Sequence, residues 1–374
     1  MSETDNIPQS DCAPGAIHPV ASQDYFGHSD NIAALEKSLG SGRFHHGWIF
    51  AGPYGVGKAT LAYHLARVLL DGHVSDQSTE IDLLESSAKI RTEKTGRLIS
   101  QFAHPDMRVM RRSFDTKTKK FFRFIRIDEM RLLKEMMHTT PSMGAHRVAL
   151  IDRADDMNEA SSNALLKVLE EPPKHTTFIL ITNSPGQVPV TIRSRCRMLK
   201  FNGLELDDFK SAIEQQFQCQ GQSIKEDTNW QDLLHLSGGS VRKGFELITG
   251  DGLKFYAALY KILDRLPDLD QRNIDMFVDG ILKDKSGQDY QAGVQLLSDL
   301  LYRLLRGRVE GFSLSASEKE LSAKLVKAHT LERWLSLWDT LAERSLDVNE
   351  LNLDKKTYML QSFFAMRDLA RGAF

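Results

Sequence analysis

Nine residues, GPYGVGKAT from Gly52 to Thr60, restrict this chain more than any other stretch. Gly52 is followed by four residues and then Gly57-Lys58, with the apolar run HGWIFA before them and the apolar-periodic run LAYHLARVLL after. Glycines let consecutive backbone N–H groups curl around phosphate oxygens. The N-terminus of the following helix adds positive potential, and the lysine reaches the outer phosphates. Strand, glycine turn and helix make the first half of a βαβ unit. The expected nucleotide-contacting residues are Gly52, Gly55, Gly57, Lys58, Ala59 and Thr60. A Ser or Thr hydroxyl normally follows the lysine and binds magnesium, but Ala59 stands there. Thr60 comes one residue late, about 100° further around a helix.

VALIDRADD, ending an apolar strand in Asp152, has the form of a metal-binding carboxylate strand. The next residue in a hydrolase would orient or deprotonate water. Here it is Arg153, which cannot accept a proton near neutral pH. Asp155, two residues on, is expected to point elsewhere. Without the hydroxyl or the base, the site should hydrolyse ATP slowly if at all. ATP or ADP with magnesium remains a possible occupant of a degenerate site. In TNSPGQVPVTIRSRC, Asn183 at a strand tip is placed to meet a terminal phosphate or attacking water. Arg195 lies in a turn with Arg193 and Arg197, where a surface salt bridge is the plain reading. In SGGSVRKGFELI, Ser240 reads as a helix cap, and Arg242 in the first turn is positioned to reach back towards a nucleotide.

Strands alternate with helices through residue 200, which implies a mostly parallel sheet covered on both faces. Expected segments are a polar tail (1–22), an α/β nucleotide-binding domain (23–200), a helical lid (201–251) and an all-helical region (252–374). Residues 71–103 give no clear pattern. Strand signals fade after residue 200. In LERWLSLWDTLAE, residues Leu331, Trp334, Leu335, Trp338 and Leu341 share one helical face and read as core. The run from Arg108 to Arg126 has eight Lys/Arg against one Asp; it reads as a solvated hairpin, with contact to DNA phosphates as the sharper alternative. His45 and His46, taken as strand residues, should face opposite ways and share no metal. Glu170 and Glu171 read as helix-terminal or solvent positions.

At 374 residues, 41% hydrophobic and 26% charged, with net charge −2, the chain reads as an ordinary globular protein of two or three domains. Three scattered cysteines argue against a disulfide framework and against a four-thiolate zinc site. No run is long enough for a membrane span and no signal pattern opens the sequence, so the expected location is the cytosol.

GPYGVGKAT, VALIDRADDMNEASSNALLKVLEEPP, TNSPGQVPVTIRSRC and GGSVR, in this order, resemble a bacterial clamp-loader subunit of the AAA+ superfamily. The resemblance is strongest to its delta-prime branch and spans residues 26 to about 250. It implies an AAA+ domain, a helical lid and a C-terminal helical collar. It assigns the metal aspartate to Asp152, a first sensor to Asn183 and a second to Arg242. Arg195, in the SRC motif, would act in trans as an arginine finger on a neighbour's ATP. The implied partners are gamma/tau and delta subunits in a hetero-oligomeric ring, with the sliding clamp and primed DNA reached through the complex and no membrane. Motor subunits carry Ser or Thr at position 59 and Glu at 153. The departures favour a non-hydrolysing subunit over a gamma/tau-like motor. Many relatives carry a four-cysteine zinc module between the phosphate-loop helix and the aspartate strand. Residues 61–147 contain no cysteine, so no zinc is expected.

Overall fold

A computed structural model of the chain describes all residues except 1–8, 13–14, 42–43, 73–80, 119, 139, 144–145, 226–227, 285–286, 308–313, 315, 329, 351–352 and 373–374. Parts of the expected tail, and Lys119 of the basic run, therefore lie outside the described residues. Two compact units divide the chain, Met1–Phe245 and Glu246–Phe374.

The first unit is built on a five-stranded parallel sheet. In chain order its strands are β1 (Gly47–Ala51), β2 (Met107–Met110), β5 (Arg147–Asp152), β6 (Thr176–Thr182) and β7 (Arg197–Lys200), arranged β2-β5-β6-β1-β7. β1, β5 and β6 are buried along their whole length. That explains why they read as continuous apolar runs and not as alternations: both faces are covered. Helix α1 (Ser29–Gly40) precedes β1, and α2 (Lys58–Asp71) follows it. Alternate strand residues feed two separate cores. Trp48, Phe50, Val148, Leu150, Ile179 and Ile181 pack with α2 on one side. Ile49, Ala51, Ala149, Ile151, Phe178 and Leu180 pack with α5 (Ile127–His138) and α6 (Glu159–Glu170) on the other. The AAA+ arrangement implied by the resemblance is the one seen. Strands β1, β5 and β6 bring their carboxyl ends, and so the loop at residue 52, Asp152 and Asn183, to one edge.

Several elements differ from the sequence reading. Residues 71–103 contain α3 (Leu83–Arg91), capped by Asp82, and α4 (Lys94–Ser100). The basic run is not one long hairpin. Its first part, β2, joins the parallel sheet beside β5, and only β3 (Phe114–Asp115) and β4 (Lys120–Phe121) pair antiparallel. β7 carries no apolar run because it is an edge strand with mostly exposed side chains. His45 and His46 precede β1, so strand alternation does not apply to them; their rings stack with centroids 4.5 Å apart. After β7 come α8 (Leu206–Gln218), α9 (Trp230–Ser237) and α10 (Val241–Thr249). Ser240 caps α10, its Oγ accepting from the Lys243 amide at 3.1 Å.

The second unit is helical: α11 (Gly252–Asp264), α12 (Gln271–Leu282), α13 (Gln288–Arg306), α14 (Ala316–Ala328), α15 (Leu331–Glu350) and α16 (Lys355–Ala370). Its core centres on Trp334, Phe277, Tyr290 and Phe363. The Trp334 indole donates to Leu325 O at 2.9 Å, and Arg303 pairs with the fully buried carboxylate of Glu318 at 2.9 Å. Of the predicted α15 face, Trp334 and Leu341 are buried and Leu331 and Trp338 pack against the core. Leu335 is exposed, and Leu337 packs instead. Among the described residues no helix is long and apolar enough to cross a membrane.

Candidate functional site

The loop closing β1 takes the left-handed conformation at Gly55 (φ +74°) and Gly57 (φ +97°), which only glycine adopts without strain. Space is equally restrictive. A Cβ on Gly52 would stand 2.2 Å from Phe201 O, and one on Gly55 would stand 2.5 Å from the Arg242 side chain. A cavity of about 150 Å³ opens over this loop and is lined by Gly55, Gly57, Lys58, Ala59, Thr60, Asp152, Asn183 and Arg242. The residues singled out in four separate motifs therefore meet in one place. Thr60 lines the cavity together with Ala59, although it follows it by one helical position. Gly52 does not line the cavity; its carbonyl accepts from the Lys58 ammonium.

Lys58 is buried, and its ammonium donates to Gly52 O at 2.7 Å, to Pro53 O, and to Asn183 Oδ1 at 2.9 Å. Burial pulls its pKa down to about 8, against the opposing pull of Asp152 and Asp155. Asp152 is buried at the tip of β5. Burial, reinforced by the nearby carboxylate of Asp11, pushes its pKa up to about 7. Arg242 lays its guanidinium over the Tyr54 ring, 4.5 Å from the centroid, and its backbone N–H donates to Gly55 O at 3.3 Å.

Arg153 has φ +68° and pairs through Nε with Asp156 Oδ2 at 3.1 Å. Arg112 approaches the same oxygen at 2.9 Å. Asp155 is closer to the site than its spacing suggested: its Oδ1 accepts from the Asn183 backbone N–H at 3.2 Å and so helps hold the tip of β6. The donor set does not fit magnesium. It offers Asp152, with Asp11 already taken by Arg111, an alanine in place of the hydroxyl, and an arginine directly after Asp152. The glycine cradle does fit a phosphate group, with Lys58 and Arg242 beside it.

Arg195 lies outside this cavity, on the surface after the short helix α7 (Val190–Arg193). It pairs with Glu170 Oε1 at 3.0 Å and donates to Thr191 O at 2.8 Å. Its salt bridge is thus the plain one expected of a surface arginine, made with a glutamate at the end of α6. Both side chains are substantially exposed, at 36% and 45%.

Sequence reasoning missed the strap that crosses the cavity. Ser10, Asp11, Cys12, Ala16 and Ile17 all line it. Asp11 binds Arg111 Nη1 through both carboxylate oxygens, at 2.9 and 2.6 Å, and meets His18 Nε2 at 3.0 Å. The Val20 carbonyl accepts from buried Arg67 on α2. Low hydrophobicity and Pro/Gly punctuation hid this docking, because it is made by polar groups. The one available signal was an arginine, Arg67, set inside the deeply apolar α2.

Among the described residues no group of three or more His, Cys, Asp or Glu is placed to hold a metal.

The fold and this edge of the sheet define an α/β domain with a phosphate-type glycine loop at the carboxyl edge of a parallel sheet. Residues 27–205 match the family described as DNA polymerase III, delta subunit. The chain is 29% identical over 255 residues to the tau subunit of DNA polymerase III from Escherichia coli (strain K12), covering 67% of this chain and 36% of that protein. It is 28% identical over 238 residues to the gamma subunit from Buchnera aphidicola subsp. Schizaphis graminum, covering 63% of this chain and 58% of that one. It thus spans between 36% and 58% of these relatives' lengths. A solved Thermotoga maritima protein related to the gamma subunit aligns with a TM-score of 0.40 at 16% identity, over 91% of this chain and 99% of that one. Residues 27–205 are thus similar to the delta-type family, and a longer stretch of the chain is similar to gamma/tau-type subunits of DNA polymerase III.

Proposed function

We propose that this chain is the delta-prime-type, non-hydrolysing subunit of a bacterial DNA polymerase III clamp loader, acting in the cytosol. In this reading it assembles with gamma/tau and delta subunits, and its own phosphate-loop site serves as scaffold. Arg195 is presented to the ATP of a neighbouring motor subunit, and the complex helps place the sliding clamp on primed DNA. The observation that carries the reading is the separation of cation from site. Arg195 stands exposed on the surface, while the chain's own cavity has Ala59 where magnesium needs a hydroxyl and Arg153, tied to Asp156, where water needs a base. An arginine supplied in trans stabilises charge developing on the transferred phosphoryl group, an effect worth about 10³ to 10⁵ in rate.

The alternative is a gamma/tau-like motor, favoured by the names of the curated relatives. Steady-state ATPase of the purified full chain separates the two. The stator reading expects turnover no higher than that of Lys58→Ala. Robust turnover that Lys58→Ala abolishes would make the chain a motor.

A further inference from the structure

Each cation facing the cavity already has a partner within the chain. Lys58 is held by two loop carbonyls and Asn183, Arg153 by Asp156, and Arg242 rests on Tyr54. Arg111 does not line the cavity itself; it stands behind Asp11, which does, and lines the neighbouring pocket with Phe102 and His104. It follows Met110, whose neighbour in the sheet is Ile151, so Arg111 leaves β2 alongside Asp152 at the carboxyl edge. An incoming phosphate would be drawn to a cation there. The group bound to it is instead the carboxylate of Asp11, gripped by both oxygens and only 1% exposed.

A carboxylate is a costly choice at this place. Burial opposes its ionisation and it in turn opposes that of Asp152, although His18 and Arg111 together hold its own pKa below the ordinary value. Such a residue is tolerated when it satisfies an anion-binding position that would otherwise be left unmatched.

The strap that delivers Asp11 is docked through its described residues. His18 sets its ring edge-on to Tyr63 and Phe102, at 5.9 and 5.3 Å. The Ile17 amide donates to Gln216 Oε1 at 2.9 Å, and Gln220 Nε2 donates to Gly15 O at 2.5 Å, tying the strap to α8 and the turn after it.

We propose that this strap is the resident occupant of the phosphate-loop cavity: Asp11 fills the anion position beside Asp152 and keeps nucleoside triphosphates out. The proposal rests on reading the cavity as a degenerate nucleotide site. Asp11 is an internal competitor. Nucleotide binds only from the fraction of molecules whose strap has left, so its apparent affinity is reduced by that fraction.

The chain carries its own reporter. Cys12, next to Asp11, is partly buried, its thiol donates to Ala16 O at 3.3 Å, and burial pushes its pKa up to about 11. Release of the strap should expose the thiol, return it towards an ordinary pKa and speed its alkylation.

The test uses the full chain with Cys196→Ser and Cys219→Ser, so that Cys12 is the only thiol. A fluorescent ATP analogue with magnesium is titrated against this protein and against Asp11→Asn and His18→Ala versions of it. Both strap variants should bind the analogue about tenfold more tightly, and their Cys12 should alkylate faster by a similar factor. Thermal melts identify a variant that fails to fold, and the other then decides. Equal affinity with and without the substitutions, including no binding by any of the proteins, would overturn the proposal. So would a Cys12 rate that the substitutions leave unchanged. None of these readings involves Arg195 or the assembled complex, so the strap and the stator reading stand or fall separately.

Discussion

The guanidinium of Arg153 lies across Asp156, Nε to Oδ2 3.1 Å, on a residue whose backbone φ is +68°. A non-glycine residue in this conformation is uncommon and carries a cost. Here the turn after β5 is held in place by the pair, with Arg112 on the same oxygen at 2.9 Å. The position that would hold a catalytic base is thus occupied by a structural cation.

Arg153→Glu should therefore not create an ATPase, because Ala59 still withholds the metal hydroxyl. It should also destabilise the first unit by about 1–3 kcal/mol, since it leaves Asp156 short of a partner and crowds four acidic residues into one turn. Steady-state turnover and a chemical-denaturation curve measure both. Substantial hydrolysis by the single variant would show that Ala59 has been misread.

Asp152 is strained electrostatically. Its folded pKa, pushed up to about 7 by burial first and Asp11 second, exceeds the unfolded value near 4. A raised carboxyl pKa contributes stability below about pH 4 that is lost as pH rises through 7. Asp152→Asn should accordingly raise the melting temperature by about 2–6 °C at pH 8 and change it little at pH 4. Melts at the two pH values check the sign; equal shifts at both would refute it.

Two histidines should act in the opposite direction. His64 on α2 bonds Ser87 Oγ at 2.8 Å, and burial, with Arg67 and Arg91 adding to it, brings its pKa down to about 3. His146 bonds Thr177 Oγ1 at 2.8 Å and is brought down to about 4, again mainly by burial, with His175 and Arg147 beside it. Unfolded histidines take up a proton near pH 6.5 and these do not, so the stability each contributes above that pH is lost as pH falls towards 4 and 3. Between pH 6.5 and 5 the loss should be about 2 kcal/mol per histidine. Denaturation curves of the wild type and of His64→Gln should show a shallower acid slope in the variant; parallel slopes would contradict the assignment.

Glu170 holds Arg195 at the surface. An exposed pair of this kind is worth about 0–1 kcal/mol, so Glu170→Ala should move the melting temperature by no more than about 3 °C. Differential scanning of the purified chain measures this, and a larger drop would mean that the pair has a structural role.

The sheet and its carboxyl edge were legible because apolar runs and glycine spacing report directly on burial and backbone geometry. β1, β5, β6, α2 and α6 fall where the sequence puts them. β7 was hidden because an edge strand with exposed Arg197, Met198 and Lys200 leaves no apolar run. Leu335 was misplaced because helical spacing locates a face only to within one neighbour, and Leu337 packs in its stead. At the site, the loop, Asp152, Asn183 and Arg242 could be paired in advance through their motifs. The Asp11–Arg111 contact joins residues a hundred positions apart through polar groups, which no periodicity marks.

In the proposed function Arg195 works on a neighbour's nucleotide. This role is tested most directly by reconstituting the chain with gamma/tau and delta subunits and measuring ATPase with wild type or Arg195→Ala. The variant should fold and assemble as the wild type does, while hydrolysis at the adjoining motor site falls by about 10³-fold or more. An assembled complex whose ATPase is unchanged by Arg195→Ala would contradict the account.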